Sequence, residues 1–186
     1  MKLTKPSVLV QYYLGLGMWM RNTGYAVATA LMTAAAATLS RPAPPPGWRY
    51  PTLPEVAQQW RDQVPGRSQW ISADFDGDGV TDSAMLLLRT PTPVVGLVVV
   101  LGRSPGKAIT LEVPGDAAWL NVMGIKIVPA GQYKTACGKG YVECTQDEPG
   151  VLALQHPAID FFMHSTNFYF YFDRQKGSFR RVWISH

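Results

Sequence analysis

Acidic residues are missing from the front of this chain: the first 54 of its 186 residues contain no Asp or Glu. Charge is sparse throughout, at 16% against 47% hydrophobic residues, which excludes a disordered chain. Two cysteines are too few for a disulfide-dense scaffold or a four-cysteine zinc site. Clustered Lys and Arg are absent too. Arg180-Arg181 is the sole adjacent basic pair, and on a strand its side chains point to opposite faces. A nucleic-acid binder needs a basic cluster to neutralise phosphates, so that class is set aside. The three histidines, His156, His164 and His186, are scattered with no H-x-x-x-H pair, and read as surface or hydrogen-bonded residues. No repeat recurs at a period of about 20–50 residues.

The front end has the order of an export signal. Residues 22–40 carry no charge, Arg21 precedes them, and small residues close the run with A-x-A choices at Ala34–Ala37. A second apolar run, residues 6–20, lies before Arg21, and Met20-Arg21 would itself make a compact start. Residues 1–19 are then a candidate mis-assigned extension. The alternative is an uncleaved anchor, the only route to a membrane in this reading. A spanning helix needs about 20 apolar residues, and this Ala/Thr-rich run is weakly hydrophobic. Four prolines in residues 41–47 mark residues 41–51 as an extended linker between leader and folded body. With the leader set apart, residues 41–186 hold 14 basic and 13 acidic side chains, a net charge of +1.

The body, residues 52–186, is expected to be a single α+β domain. Thr52 and Glu55 have capping-box spacing, and Leu53, Val56, Ala57, Trp60 and Val64 follow a helical stripe that Pro65-Gly66 stops. This predicts one N-terminal amphipathic helix of about three turns lying on a sheet. The rest is strand-like and mostly antiparallel. Ala84–Leu88 and Val94–Leu101 are continuous apolar runs, as in central strands covered on both faces. Further strands are expected at Trp70–Ala73, 109–113, 122–128, 151–155 and 159–162. Phe168, Phe170 and Phe172 alternate with Tyr169 and Tyr171, which requires either two covered faces or a wet tyrosine face. Residues 179–184 pair with that strand through a turn at Lys176-Gly177.

One motif carries chemistry. Asp74, Asp76, Asp78 and Asp82 occupy positions 1, 3, 5 and 9 of a loop, with Gly79 at position 6. Ca²⁺ takes about six to eight hard oxygen ligands, and alternating positions in a tight loop turn their carboxylates inward. The carbonyl of Val80, at position 7, completes the expected ligand set. The bland alternative is an Asp/Gly-rich turn without metal. Position 12 is Met85 rather than Glu, so the loop is not an EF-hand.

The residues Asp74, Asp76, Gly77, Asp78, Gly79 and Asp82 spell D-x-D-G-D-G-x-x-D. This resembles the calcium loop of FG-GAP and VCBS-type repeats. The resemblance implies a loop joining two strands of a hairpin, with the aspartates and one carbonyl on Ca²⁺. In that family several repeats build a β-propeller; a single copy does not make a full one, and it implies a metal loop without the family's adhesive role.

Cys137 and Cys144 close a short loop and are expected as a disulfide in an exported protein. The alternative is a reactive thiol with His156 or His164 as its base. Gly138-Lys139-Gly140 is not a P-loop. Asp160, between Ile159 and Phe161, is a candidate hydrolytic carboxylate with no partner identifiable from sequence. These features point to a periplasmic or secreted, calcium-stabilised domain. It is expected to be non-enzymatic and to bind an unknown protein or envelope component. The competing class is a small hydrolase using Asp160 or a Cys/His pair.

Overall fold

The structure, a computed structural model, describes residues 41–52, 55, 69–146 and 148–185. The expected leader lies outside the described residues. So does most of the expected helix, including Trp60.

Strands β1 (Trp48–Arg49), β2 (Trp70–Ala73), β3 (Asp82–Arg89), β4 (Val94–Val100) and β5 (Ala108–Asp116) form one antiparallel sheet. β4 lies between β3 and β5, while β1 and β2 pair end to end along the other edge of β3. A second antiparallel sheet contains β6 (Met123–Val128), β9 (Ala158–Met163), β10 (Thr166–Asp173) and β11 (Ser178–Ser185), in the order β11-β10-β9-β6. β7 (Gly131–Lys134) and β8 (Val151–Leu154) pair as a separate two-stranded antiparallel hairpin.

The sheets pack face to face. Ala84, Leu86, Leu88, Val95, Leu97 and Val99 of the first sheet share one core with Met123, Ile125, Ile159, Phe161 and Phe170 of the second. Residues Ala84–Leu88 are all buried, as a strand covered on both faces requires. The outer face of β3 and β4 presents Met85, Leu87 and Val98, and Trp48, Tyr50, Trp70 and Val100 pack on it. The outer face of the second sheet buries Val182 and Ile184 with Leu152 and Leu154 of the hairpin, against Tyr133, Tyr169 and Tyr171. The Phe/Tyr alternation of β10 is thereby explained: Phe168 and Phe170 face the inner core, and Tyr169 and Tyr171 face the hairpin. Arg180 and Arg181 also diverge: Arg181 pairs with Glu112 of β5 at 2.8 Å, and Arg180 approaches Asp173 at 3.9 Å.

The expected α+β class is corrected. Among the described residues the protein is β-rich, 50% strand and 7% helical, with no helix of seven or more residues. The physical reason is strand pairing: the described apolar runs are buried in two antiparallel sheets, and the outer apolar face of the first carries the rings of Trp48, Tyr50 and Trp70. The Thr52–Glu55 contact does form: the Thr52 N–H donates to Glu55 Oε2 at 2.7 Å. Arg49, hydrogen-bonded to the same carboxylate, and the Thr52 N–H together hold Glu55 down to about 2. The segment 41–51, expected as a linker, contributes β1 and its packing rings. Arg41 stacks 3.3 Å over Tyr50 and donates to Gln69 at 2.9 Å.

Gly96 shows how close this arm lies. A Cβ at that position would sit 2.4 Å from the Trp48 ring. Gly96→Ala is therefore expected to displace Trp48 and lower stability by about 1–2 kcal/mol in urea melts. Adding Trp48→Ala to that variant should cost much less than Trp48→Ala does alone.

Candidate metal centre

The loop 74–81 joins β2 to β3, which pair antiparallel, so the aspartates sit at the tip of a hairpin. Gly77 and Gly79 have φ values of 72° and 86°, the left-handed region in which glycine carries no Cβ penalty. With those turns made, carboxylate oxygens of Asp74, Asp76 and Asp78 lie within 4.8 Å of one another. All are hard donors, and the group can hold a metal ion.

Backbone donors hold the carboxylates in place. Asp74 accepts from the N–H groups of Asp78 at 3.0 Å and Gly79 at 2.9 Å, and Asp76 accepts from Asp78 at 3.1 Å. Asp78 accepts from the Val80 N–H at 2.7 Å. The two neighbouring acids are driven in opposite directions. Burial pushes Asp74 up, but the N–H groups of Gly79, Gly77 and Asp78, with His156 nearby, outweigh it and hold the carboxyl below its ordinary range. Asp76 is raised, first by burial and then by the charges of Asp82, Asp78 and Asp74, which the Asp78 N–H offsets only in part. Repulsion among gathered carboxylates is the condition that a bound cation relieves.

Asp82 differs from the other three. It is 1% exposed and is not one of the three whose carboxylate oxygens lie within 4.8 Å of one another. Its Oδ2 accepts from the N–H groups of Phe75 at 2.8 Å and Asp76 at 3.4 Å, and its Oδ1 from Gly102 at 2.8 Å. Each otherwise unpartnered buried donor would be costly, so this carboxylate fastens both ends of the loop and the β4–β5 connection at once. Val80, the fifth expected residue, is held through its N–H, and its side chain is exposed.

Three residues that motif spacing did not identify as part of the site support the loop. Arg103, from the β4–β5 connection, contacts Asp78 Oδ2 at 2.6 Å and donates to the Asp78 carbonyl at 2.7 Å. Arg174, from the β10–β11 turn, donates to the Asp76 carbonyl at 2.9 Å and also to the Gly77 carbonyl. His156, from the β8–β9 turn, packs on Gly77 so closely that a Cβ there would lie 2.3 Å from the ring. The signal for the arginines is tertiary: Arg103 and Arg174 are 25 and 98 residues from their first loop partners.

Cys137 and Cys144 form a disulfide with Cα atoms 5.0 Å apart. Neither therefore presents a thiol to His156 or His164, and His164 instead packs edge-on to Trp119. Asp160 is 8% exposed and accepts from Asn167 Nδ2 at 3.1 and 3.3 Å. Burial raises this carboxyl, against the lowering effects of Asn167 and Lys126. Comparison of the chain with protein-family models, curated proteins and solved structures finds no match.

Two variants separate the roles of the acidic residues. In chelator, Asp82→Ala is expected to cost about 3 kcal/mol, because it strips the partner from the buried Phe75 N–H and from the part-buried Asp76 and Gly102 N–H groups. Asp76→Ala should cost little or stabilise, because it removes repulsion; equal losses in urea melts would contradict this division. Asp160 gives a pH test. Its folded pKa is raised, so its contribution is complete below the unfolded value of about 3.9 and is lost as pH rises through the folded value. Asp160→Asn should remove that loss, measured as the difference between the two proteins' urea midpoints from pH 3 upward.

Proposed function

We propose that this chain is an exported, calcium-stabilised β-domain that acts by binding a protein or envelope partner, not by catalysis. The observation that carries the reading is the gathering of Asp74, Asp76 and Asp78 at one hairpin tip. Three carboxylates in a glycine-hinged loop offer only oxygen donors, and flexible all-oxygen sites suit Ca²⁺ better than the rigid octahedral demand of Mg²⁺. The Val80 carbonyl and water would complete the shell. Asp82 would orient the loop through its three N–H partners, and Arg103 and Arg174 would brace it. The likeness of the loop to FG-GAP and VCBS-type repeats supports the same ion.

Export is supported by the order of the leader sequence and by the disulfide. Disulfides persist in oxidising compartments and are rare in the cytosol. The binding role is supported by exposed Tyr141 and Val142 within the disulfide loop and by exposed Val151 at the start of β8. Aromatic and aliphatic side chains held on a cross-linked loop lose little freedom when they meet a partner.

The test is thermal. Extracellular calcium modules bind at about 10⁻⁴–10⁻³ M, so ~5 mM Ca²⁺ should add roughly 1–2 kcal/mol. That corresponds to a Tm rise of roughly 5 °C for a domain of this size. Asp76→Ala should abolish the rise. Identical melting curves in Ca²⁺ and in chelator would overturn the calcium assignment. Affinity capture from an envelope extract, with and without Ca²⁺, tests the binding role.

A further inference from the structure

Beside the loop lies a cleft of about 310 Å³, bounded by the β8–β9 turn and the end of β10 with its following turn. That volume is at the lower end for sites that enclose a small organic molecule. Its lining includes Phe75, His156, Tyr171, Phe172 and Arg174. Phe75 lies between Asp74 and Asp76 in sequence, so part of the cleft wall is the metal loop itself.

The chemistry of the wall is one-sided. Arg174 has five N–H groups, and two of its nitrogens donate to the loop carbonyls, which fixes the plane of the guanidinium. His156 adds an imidazole, Tyr171 a hydroxyl, and Gln155 and Gln175 side-chain amides. The one carboxylate on the lining, Asp173, is already engaged: its Oδ1 accepts from the N–H groups of Gln175 at 3.0 Å and Lys176 at 3.2 Å, and its Oδ2 faces Arg180 at 3.9 Å. Donors therefore outnumber unengaged acceptors. A fixed guanidinium and an imidazole on the same lining favour one anionic group, and the partly exposed rings of Tyr171 and Phe172 favour a flat or apolar body.

We propose that this cleft binds a small organic carboxylate, with its anion at Arg174 and His156 and its ring or short apolar body against Tyr171 and Phe172. The site rests on the calcium reading only for its metal dependence. Because Arg174 holds the carbonyls of Asp76 and Gly77, a cation that orders the loop also orders the guanidinium. Metal and carboxylate then strengthen each other's binding by the same factor.

The experiment is a titration of the full-length protein with benzoate, and with benzamide as a neutral isostere, followed by NMR shifts and calorimetry. Benzoate should bind and benzamide should bind at least about tenfold more weakly, the value of a charge-assisted hydrogen bond. Arg174→Gln should weaken benzoate by a similar factor. Ala153→Trp, an exposed lining position away from the loop, should block benzoate while leaving Ca²⁺ affinity unchanged. Absence of benzoate binding at tens of millimolar, equal binding of benzamide, or full binding to Ala153→Trp would each overturn the proposal. A separate Ca²⁺ titration distinguishes the two readings: benzoate binding without Ca²⁺ binding retains the cleft and rejects the calcium site, and the reverse rejects the cleft alone.

Discussion

The carboxylate of Asp82 is the constraint on which the site depends. It is buried at the start of β3, where an ionised group must be fully hydrogen-bonded to be tolerated. Three backbone N–H groups meet that need, two from the hairpin loop and one from the β4–β5 connection. The chain therefore closes around a charge that it cannot leave unpartnered. The inward turn of Asp74, Asp76 and Asp78 follows from that closure and from the two left-handed glycines. Removing any of those three would alter the site's charge; removing Asp82 would alter its charge and its shape together.

The same economy is visible in the layers. Two sheets supply one inner core, and each also has an apolar outer face. Fully burying one large aliphatic side chain is worth about 1.5–3 kcal/mol, so leaving either outer face wet would forfeit much of a small domain's stability. The N-terminal arm covers one face with the rings of Trp48 and Tyr50, beside Trp70 of β2, and the disulfide-bearing segment brings the β7–β8 hairpin over the other. Both covers are short in sequence and make few sheet hydrogen bonds, so side-chain burial holds them. The turns from these different layers meet at the loop: Arg103 from the first sheet, Arg174 from the second, and His156 from the β8–β9 turn.

Sequence made the long strands legible because their burial is regular. The runs 84–88 and 94–100 are apolar without a break, and 168–172 alternates between two kinds of aromatic ring. β1 and β7 escaped because they are two and four residues long and lack such a pattern. The helix expectation rested on an apolar period of 3.6, a local signal. The candidate site divides in the same way. Its carboxylates are crowded into nine residues and could be read from spacing alone. Its arginine braces come from remote turns, where a lone Arg in a polar loop looks like any other. The division of labour between Asp82 and its neighbours was also hidden, since spacing gives the same weight to all four.

The two-faced aromatic strand β10 has a consequence for how the chain finds this arrangement. A slip of one residue in a strand exchanges its faces. In β10 the slip would leave the total apolar surface nearly unchanged, so hydrophobic collapse alone would not reject it. It would, however, drive the hydroxyls of Tyr169 and Tyr171 into the inner core and leave the phenylalanines under the hairpin. Buried hydroxyls without partners are costly, and that penalty separates the two pairings. Two hydroxyl oxygens thus distinguish one pairing of β10 from the other, a distinction that apolar burial alone does not make.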